Sequence, residues 1–355
     1  MSADLRLTDL MDEKFIKPET DPTSVASVET VSGVTWKTKL LMGSILAAGL
    51  AGGVIWAMAI NAEKRPDIDN TGKSMSIVID DQSNSPNSTV NLESKLKNPN
   101  VITNYFNDHP PEKAEHPLDP ALVVARRGLK HLRSHIKDFT TTLHKQERIG
   151  KKLLPKEIIE SKLRHNDFAE GEEQSPASVY VKFLEPKEMS GREVIWQKGR
   201  NNDRLTVHEY TFIGNKQLDL DPNGFFAMRG NRYPITEVGL EVLLLRMIEK
   251  GERDRKHAEC EVKIDRSTKL NGRDCTLIEI IHPVERKHFE FHIAKIYIDD
   301  ELNVPISYAA WTWPKEPGGE PVLEEQYVMA DLKINVGLTD KDFDVTNENY
   351  EFPNK

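Results

Sequence analysis

The chain has 355 residues, of which 38% are hydrophobic and 30% are charged, so it can bury one sizeable core and still carry extensions. Its formal net charge of −9 argues against a nucleic-acid binder, because such a protein needs a basic surface to neutralise phosphates. We therefore expect no nucleic-acid partner.

One uncharged stretch, Leu40 to Ile60, divides the chain. A helix of about 21 residues is about 30 Å long, which matches the hydrocarbon thickness of a bilayer. We therefore predict a flexible tail over 1–38 and a transmembrane signal anchor over 39–61, with the inner membrane as the partner of Leu40–Ile60. Ala57-Met58-Ala59 has the small-x-small form of a signal-peptidase site, so a cleaved anchor is the alternative to an uncleaved one.

Residues 62–118 are rich in Asp, Asn, Ser, Pro and Lys, and apolar side chains are sparse among them. Such a composition does not offset the entropy that the backbone loses on ordering, so we predict a disordered linker. Asp119-Pro120 then marks the start of a helix over about 120–135. The apolar stripe of this helix consists of Leu122, Ala125, Leu129, Leu132 and Ile136.

After this helix the apolar residues alternate, and turn residues separate the alternating segments. The pattern predicts about ten strands, and their short connections favour antiparallel pairing. The strands are expected at 139–143, 154–163, 178–184, 193–197, 204–208, 259–265, 273–282, 288–299, 304–313 and 323–334. A second helix over 237–253 interrupts them, with an apolar stripe of Leu240, Leu243, Leu244, Met247 and Ile248.

These elements predict an α+β fold for residues 119–352, preceded by one transmembrane helix. A sheet of this kind buries one face, and the two helices are its natural cover. We expect a strongly curved antiparallel sheet in the form of a half-open barrel. Such a sheet leaves an apolar concavity beneath its helices.

Sequence motifs of enzymes are missing. The chain contains no GxSxG, HExxH, Walker loop or GxGxxG, so we predict no catalytic residue and no cofactor. His288-x-Glu290-x-His292 places three potential metal ligands on one face of a predicted strand, with Phe289 and Phe291 on the other. An ordinary half-buried strand has the same pattern, and no fourth ligand is identifiable, so we predict no metal site.

Alternating apolar side chains are the candidates for binding a ligand. They are Val179, Val181, Phe183, Phe289, Phe291, Trp311 and Trp313. Two interpretations stay open, since residues in this pattern either pack the core or line an apolar pocket for an acyl chain.

Arg229 and Arg232 flank Gly230-Asn231 in the loop before the second helix. Arginine donates well to carbonyls and to anions, so these two either latch the helix over the sheet or meet an anionic head group. We favour the latch.

Cys260 and Cys275 are the two cysteines of the chain, and they flank a predicted β-hairpin. We favour a disulfide across this hairpin, which requires an oxidising compartment. Two buried thiols that act as small apolar side chains are the alternative.

Residues 120–352 resemble a family of uncharacterised bacterial envelope domains and, more distantly, the LolA-like lipoprotein-sorting carriers. The resemblance is carried by Lys145-Gln-Glu-Arg-Ile149, Val181-Lys-Phe-Leu-Glu-Pro186, Gly191-Arg-Glu-Val194, Ala227-Met-Arg-Gly-Asn-Arg-Tyr-Pro-Ile-Thr-Glu237, Leu302-Asn-Val-Pro-Ile-Ser307 and Asp331 to Asp344. It implies a LolA-like half-open barrel that holds acyl chains in the periplasm. The predicted anchor differs from these carriers, which are soluble and diffuse between two membranes. An anchored protein is better suited to act as a receptor, a sensor or a fixed relay.

Charge does not orient the predicted anchor, because Lys37 and Lys39 before it are matched by Lys64, Arg65 and Lys73 after it. The cysteine pair and the resemblance place the main domain in the periplasm. We expect a non-catalytic domain, anchored in the inner membrane, that binds lipid or lipoprotein acyl chains. The alternative is an envelope module for protein interaction or sensing, with a filled core and a protein partner.

Overall fold

The structure is a computed structural model, and it describes residues 4–5, 105–165, 178–211, 214–257 and 259–353. The α-helices are α1 (Tyr105–Asp108), α2 (Asp119–His135), α3 (Phe225–Met228) and α4 (Leu240–Asp254). Single 3-10 turns lie at Pro111–Lys113, Asn201–Asp203, Ile235–Glu237 and Asp340–Phe343.

Among the described residues, thirteen strands form one sheet. They are β1 (Asp4–Leu5), β2 (Asp138–Ile149), β3 (Lys152–Leu153), β4 (Glu157–Arg164), β5 (Ser178–Glu185), β6 (Glu193–Gln197), β7 (Leu205–Thr211), β8 (Gly214–Leu220), β9 (Glu261–Leu270), β10 (Arg273–Ile281), β11 (Ile293–Asp299), β12 (Val304–Thr312) and β13 (Val322–Ile334).

The sheet is antiparallel throughout, except where β1 pairs parallel with β9. The strand order is β1-β9-β10-β11-β12-β13-β2-β4-β5-β6-β7-β8, with β3 beside β2. Among the described residues the two edges, β1 and β8, do not pair, so the sheet is open. The predicted antiparallel sheet with interposed helices is confirmed at this level.

The connection from β8 to β9 carries α3 and α4 from one end of the sheet towards the other. It brings α4 against α2, and the two helices meet through glycines. A Cβ atom on Gly251 would lie 2.7 Å from Leu122 Cδ2, and one on Gly128 would lie 3.6 Å from Leu244 Cδ2. Glycine at 251 therefore allows the close approach of the two helices, whereas a Cβ atom at 128 would make an ordinary van der Waals contact.

The main core lies between these helices and the sheet. Apolar side chains of α2 and α4 (Leu129, Leu132 and Leu240 among them) pack with residues from strands on both sides of β2. The helix stripes at three- and four-residue spacing therefore bury the faces that the sequence predicts.

Two segments differ from the predicted domain boundaries. Asp4 and Leu5, predicted as flexible tail, pair with Lys269 and Leu270. Residues 105–118, predicted as linker, are part of the folded body, because Phe106 and Leu118 are buried against it. Sparse apolar residues in a polar segment are enough to order it when each one meets an existing core.

The predicted anchor Leu40–Ile60 lies outside the described residues, and none of the helices described is both long and apolar enough to cross a bilayer. The β1–β9 pair nevertheless bears on that anchor. Segments paired in one sheet lie on the same side of a membrane, whereas a single crossing at Leu40–Ile60 would separate them. The pairing and the crossing therefore exclude each other within one molecule.

Candidate functional site

An apolar cavity lies between the two long helices and three neighbouring strands, β10, β11 and β12. Its lining consists of Leu118, Ala121, Leu122, Val124, Ala125, Gly128, Leu244, Met247, Lys250, Gly251, Asp254, Ile278, Ile280, Phe291, Ala294, Ile296, Ile298, Asn303, Pro305 and Tyr308. The cavity lies beneath the helices, where the sequence predicts an apolar concavity.

The cavity is narrow. The atom-free volume between the lining atoms, including the open mouth, is about 790 Å³. The volume that the centre of a water molecule can reach is much smaller, about 60 Å³. Since one water needs about 10–15 Å³ on the second measure, a few waters fit in the cavity as it stands. A long acyl chain needs the helices to move apart.

The floor of the cavity follows from strand register. Ile278 pairs with Ile296, and Ile296 pairs with Tyr308, so these side chains stand side by side on one face of three strands. Ala294 is two residues from Ile296 and lies on the same face, because side chains alternate along a strand. Its small side chain helps to leave the space above it unfilled.

The roof of the cavity is made by the helix stripes. Leu122 and Ala125 come from α2, and Leu244, Met247 and Gly251 come from α4. Their three- and four-residue spacings keep them on the faces that look toward the sheet. Gly251 brings the helices together, while its missing side chain leaves room beneath them.

One end of the cavity is polar. Asp254 is the last residue of α4, is 2% exposed, and lines the cavity. Its Oδ2 lies 3.6 Å from Nε2 of the fully buried His282. Burial raises the pKa of Asp254 to about 6 and lowers the pKa of His282 to about 4.

The cations at this end already have partners. Lys250 Nζ lies 3.1 Å from Glu290 Oε2 and 3.7 Å from Glu325 Oε1. Arg253 Nη2 lies 2.7 Å from Glu290 Oε1. The polar end therefore contains balanced ion pairs beside Asp254.

Of the seven residues predicted to bind a ligand, the structure places Phe291 in the cavity lining. Phe289 stacks on His282 with ring centroids 3.9 Å apart. Val179 and Phe183 belong to the main core, and Val181 packs against it. The alternation along β5 correctly identifies the face that points inward. In this part of the sheet, however, that face is packed in the main core and does not line the cavity.

Trp311 and Trp313 stand apart from the cavity. Lys295 Nζ lies 6.0 Å from the Trp311 ring centroid, and Lys295 forms an ion pair with Glu279 on the outer face of the sheet. The Trp313 Nε1 donates a hydrogen bond to the His282 carbonyl oxygen at 3.1 Å. Both side chains are half-buried.

The predicted arginine latch involves one of its two residues. Arg232 Nη1 donates to the Arg148 carbonyl oxygen at 3.3 Å and to Glu324 at 3.2 Å, and its Nε lies 3.4 Å from Glu325. Arg229 is exposed and takes no part in these contacts. Arg232 therefore ties the loop before α4 to strands β2 and β13.

The predicted disulfide between Cys260 and Cys275 is wrong. Both cysteines are free and buried. Thr268 pairs with Cys275 and Glu261 pairs with Ile281, so the cysteines lie near opposite ends of the hairpin. Six residues of strand separate them by about 20 Å, whereas a disulfide needs Cα atoms within about 7 Å.

The segment with His288, Glu290 and His292 is irregular, because β11 begins only at Ile293. His288 stacks on His257, Glu290 pairs with Lys250, and His292 Nδ1 lies 2.8 Å from the His282 carbonyl oxygen. The described residues contain no group of three His, Cys, Asp or Glu side chains arranged to hold a metal ion.

Sequence reasoning missed Asp254 and His282 as site residues. A carboxylate at the end of a helix and a histidine after a strand are common on protein surfaces, so neither stands out. The apolar alternation of Ala294, Ile296 and Ile298 was the available signal for the cavity floor.

Several solved structures are similar to this chain at low identity. The lipoprotein LppX of Mycobacterium tuberculosis has a TM-score of 0.34 and 12% identity, over 62% of this chain and 98% of that one. A putative outer-membrane lipoprotein-sorting protein domain from Vibrio parahaemolyticus has a TM-score of 0.28 and 14% identity, over 62% and 97%. A LolA-superfamily protein from Nitrosomonas europaea has a TM-score of 0.25 and 10% identity, over 62% and 97%.

A search of curated proteins finds no match. A family model, described as a protein of unknown function (DUF1571), matches residues 136–352, which is more than half of the chain. The predicted resemblance to an uncharacterised family is thereby confirmed. The chain belongs to the DUF1571 family of proteins of unknown function.

Proposed function

We propose that this protein binds a lipid or lipoprotein acyl chain in the cavity beneath α2 and α4, without catalysis. One observation carries the proposal, namely an unfilled cavity lined almost wholly by apolar side chains in an otherwise packed core. Unfilled apolar space costs stability, so a protein that keeps it gains when an apolar ligand fills it.

Entry of the ligand requires the roof to open. The two helices meet at Gly128 and Gly251, and the ion pairs Arg126–Glu252 and Arg133–Glu241 also join them, so separating the helices has to break these pairs. Separation would widen the cavity while the strands β10–β12 stay hydrogen-bonded as its floor. In this proposal the open sheet acts as a strongly curved half-barrel, with the helices as a movable cover.

The proposal includes an anchor at Leu40–Ile60 in the inner membrane and a periplasmic main domain. The Leu, Ile and Val side chains of the span favour insertion by about 0.3–0.6 kcal/mol each. Together they outweigh the about 1–2 kcal/mol of a two-residue strand pair. Insertion would therefore separate β1 from β9.

The test is saturable binding of a fluorescent fatty acid to the full chain in amphipol. The proposal predicts one site per chain and competition by unlabelled fatty acid. If the fluorescence instead rises linearly with fatty-acid concentration, as it does when the probe partitions into the polymer, the proposal of acyl-chain binding loses its support. Empty amphipol is the control for such partition.

An exposed aromatic pair favours a second candidate, a protein-interaction module. Phe225 is 78% exposed and Phe226 is 73% exposed at the end of the loop after β8. Adjacent exposed phenylalanines are unusual on a monomer surface and are typical of contact sites. Crosslinking in cells that gives a defined adduct with the native chain, and none after Phe225→Ser and Phe226→Ser together, would support this candidate.

A further inference from the structure

The polar end of the cavity has buried polar atoms without hydrogen-bond partners. Within the described part of the chain these include the acceptors Asp254 Oδ1 and His282 Nε2, and the donors Nε and Nη2 of Arg253. Arg253 Nε forms an ion pair with Asp254 Oδ1 at 3.8 Å, which is beyond hydrogen-bond length. Asp254 is 2% exposed, so solvent does not readily satisfy it.

The histidine does not supply the missing donor. His282 Nδ1 lies 3.0 Å from the Phe291 carbonyl oxygen, and a carbonyl only accepts, so the Nδ1 carries the proton. In the neutral ring the Nε2 is then an acceptor, like the carboxylate it faces. Two acceptors 3.6 Å apart lack a proton between them at neutral pH.

The surrounding charges select among head groups. Lys250 and Arg253 form ion pairs with Glu290, so their charges are largely offset, and the Asp254 carboxylate would itself repel an acidic head group. An ammonium head group would lose its hydration in an apolar cavity, beside carboxylates that already have cationic partners. A neutral hydroxyl supplies a donor at a much smaller desolvation cost.

We infer that the cavity takes an acyl lipid whose head group bears a free hydroxyl, and that Asp254 binds this hydroxyl. The inference rests on the proposed function, since it names the lipid class for the same cavity. The chain of the ligand lies between the helices and the floor formed by β10–β12. The hydroxyl donates to Asp254, and a second hydroxyl, as in a monoacylglycerol, would reach His282 Nε2.

The test compares three ligands of equal chain length with different head groups. Hexadecanol, hexadecanoate and hexadecylamine displace a fluorescent fatty acid from the full chain in amphipol, at neutral pH. We expect hexadecanol to bind about tenfold more tightly than either charged ligand, the factor that one hydrogen bond to a charged group is worth. Asp254→Leu should remove this preference and leave the binding of the chain itself.

Two further variants serve as controls for the acceptor oxygen and for the charge of Asp254. Asp254→Asn retains an acceptor oxygen and should retain part of the preference. Glu249→Leu removes one charge from the same helix, at an exposed side chain outside the cavity lining, and should leave the preference unchanged. Near-ultraviolet circular dichroism of each variant checks that it folds.

The outcomes separate two failures. Equal binding of the three ligands, tighter binding of hexadecanoate or hexadecylamine, or a preference that survives Asp254→Leu would overturn the role of Asp254 while acyl-chain binding stands. Binding of none of the three would overturn the proposed function, and the inference with it.

Discussion

Asp254 Oδ2 and His282 Nε2 face each other across 3.6 Å at the end of the apolar cavity. Both side chains are almost wholly buried, and burial changes their pKa values in opposite directions. The stability of this site therefore depends on pH, and the site is also the polar end of the proposed ligand site.

The first prediction concerns Asp254→Asn. The folded-state pKa of Asp254 is raised from 3.8 to about 6, so burial of its charged form costs stability above about pH 6. That cost fades as the pH falls through 6 toward 3.8, where the carboxyl is protonated in both states. A shift of this size corresponds to at most about 3 kcal/mol.

We therefore expect Asp254→Asn to raise the free energy of unfolding by about 1–3 kcal/mol near neutral pH and by much less near pH 4. His282 has the opposite linkage, because its lowered pKa costs stability as the pH falls below 6.5. Because His282 faces Asp254, the same comparison in a His282→Gln background is needed to remove that contribution. Urea unfolding across this range measures the difference, and a gain that is independent of pH would contradict the assignment.

The second prediction concerns the cavity floor. Ala294 lines the cavity, whereas Ala310, its cross-strand partner on the same face, does not. Ala294→Leu should fill the cavity and abolish fatty-acid binding, with a change in stability of about 1 kcal/mol or less because the added atoms enter empty space. Ala310→Leu is the matched control and should keep binding. Equal loss of binding in both variants would count against the cavity as the site.

The third prediction concerns the loop before α4. Arg232→Ala removes the arginine partner of Glu325, which is 2% exposed and, among the described residues, keeps only Lys250 at 3.7 Å as a cationic neighbour. Glu324, by contrast, keeps Arg148 at 3.5 Å. We expect a loss of about 2–4 kcal/mol in the free energy of unfolding. Arg229→Ala, three residues earlier and exposed, should change it by less than about 0.5 kcal/mol. Similar effects of the two substitutions would refute the one-arginine latch.

The fourth prediction distinguishes the β1–β9 pair from the anchor. Asp4 pairs with Lys269 in the structure, so Asp4→Cys with Lys269→Cys should crosslink under oxidation if that pair forms. The proposed insertion of Leu40–Ile60 predicts no such crosslink in intact membranes. Asp274→Cys with Lys269→Cys, which joins neighbouring residues of one hairpin, is the positive control. A β1–β9 crosslink as strong as the control would show that the span does not cross the bilayer.

Much of the fold is predictable from the sequence because its elements are strongly periodic. The helices expected over 120–135 and 237–253 are Asp119–His135 and Leu240–Asp254, and the strand expected over 273–282 is Arg273–Ile281. Their apolar stripes indicate which faces are buried. They do not indicate where two buried faces fail to fill the space between them.

The site is less predictable for that reason. Val179 and Phe291 both lie on inward faces, yet one is in the packed core and the other lines the cavity. Gly251 at the helix contact and Ala294 on the floor contribute to the difference, and small residues give no periodic signal. Asp254 gains its environment from His282 and the ion pairs around Lys250, which are distant in sequence and meet only in the fold.

The most direct test of acyl-chain binding is photolabelling of the full chain in membranes with a diazirine-bearing fatty acid, followed by mass spectrometry of the labelled peptides. The account predicts labels on the roof and floor of the cavity, in α2 near Leu122, in α4 near Met247 and in β11 near Ile296. Ala294→Leu should remove them. Labels confined to Phe225 and Phe226, or labels that Ala294→Leu leaves unchanged, would contradict it.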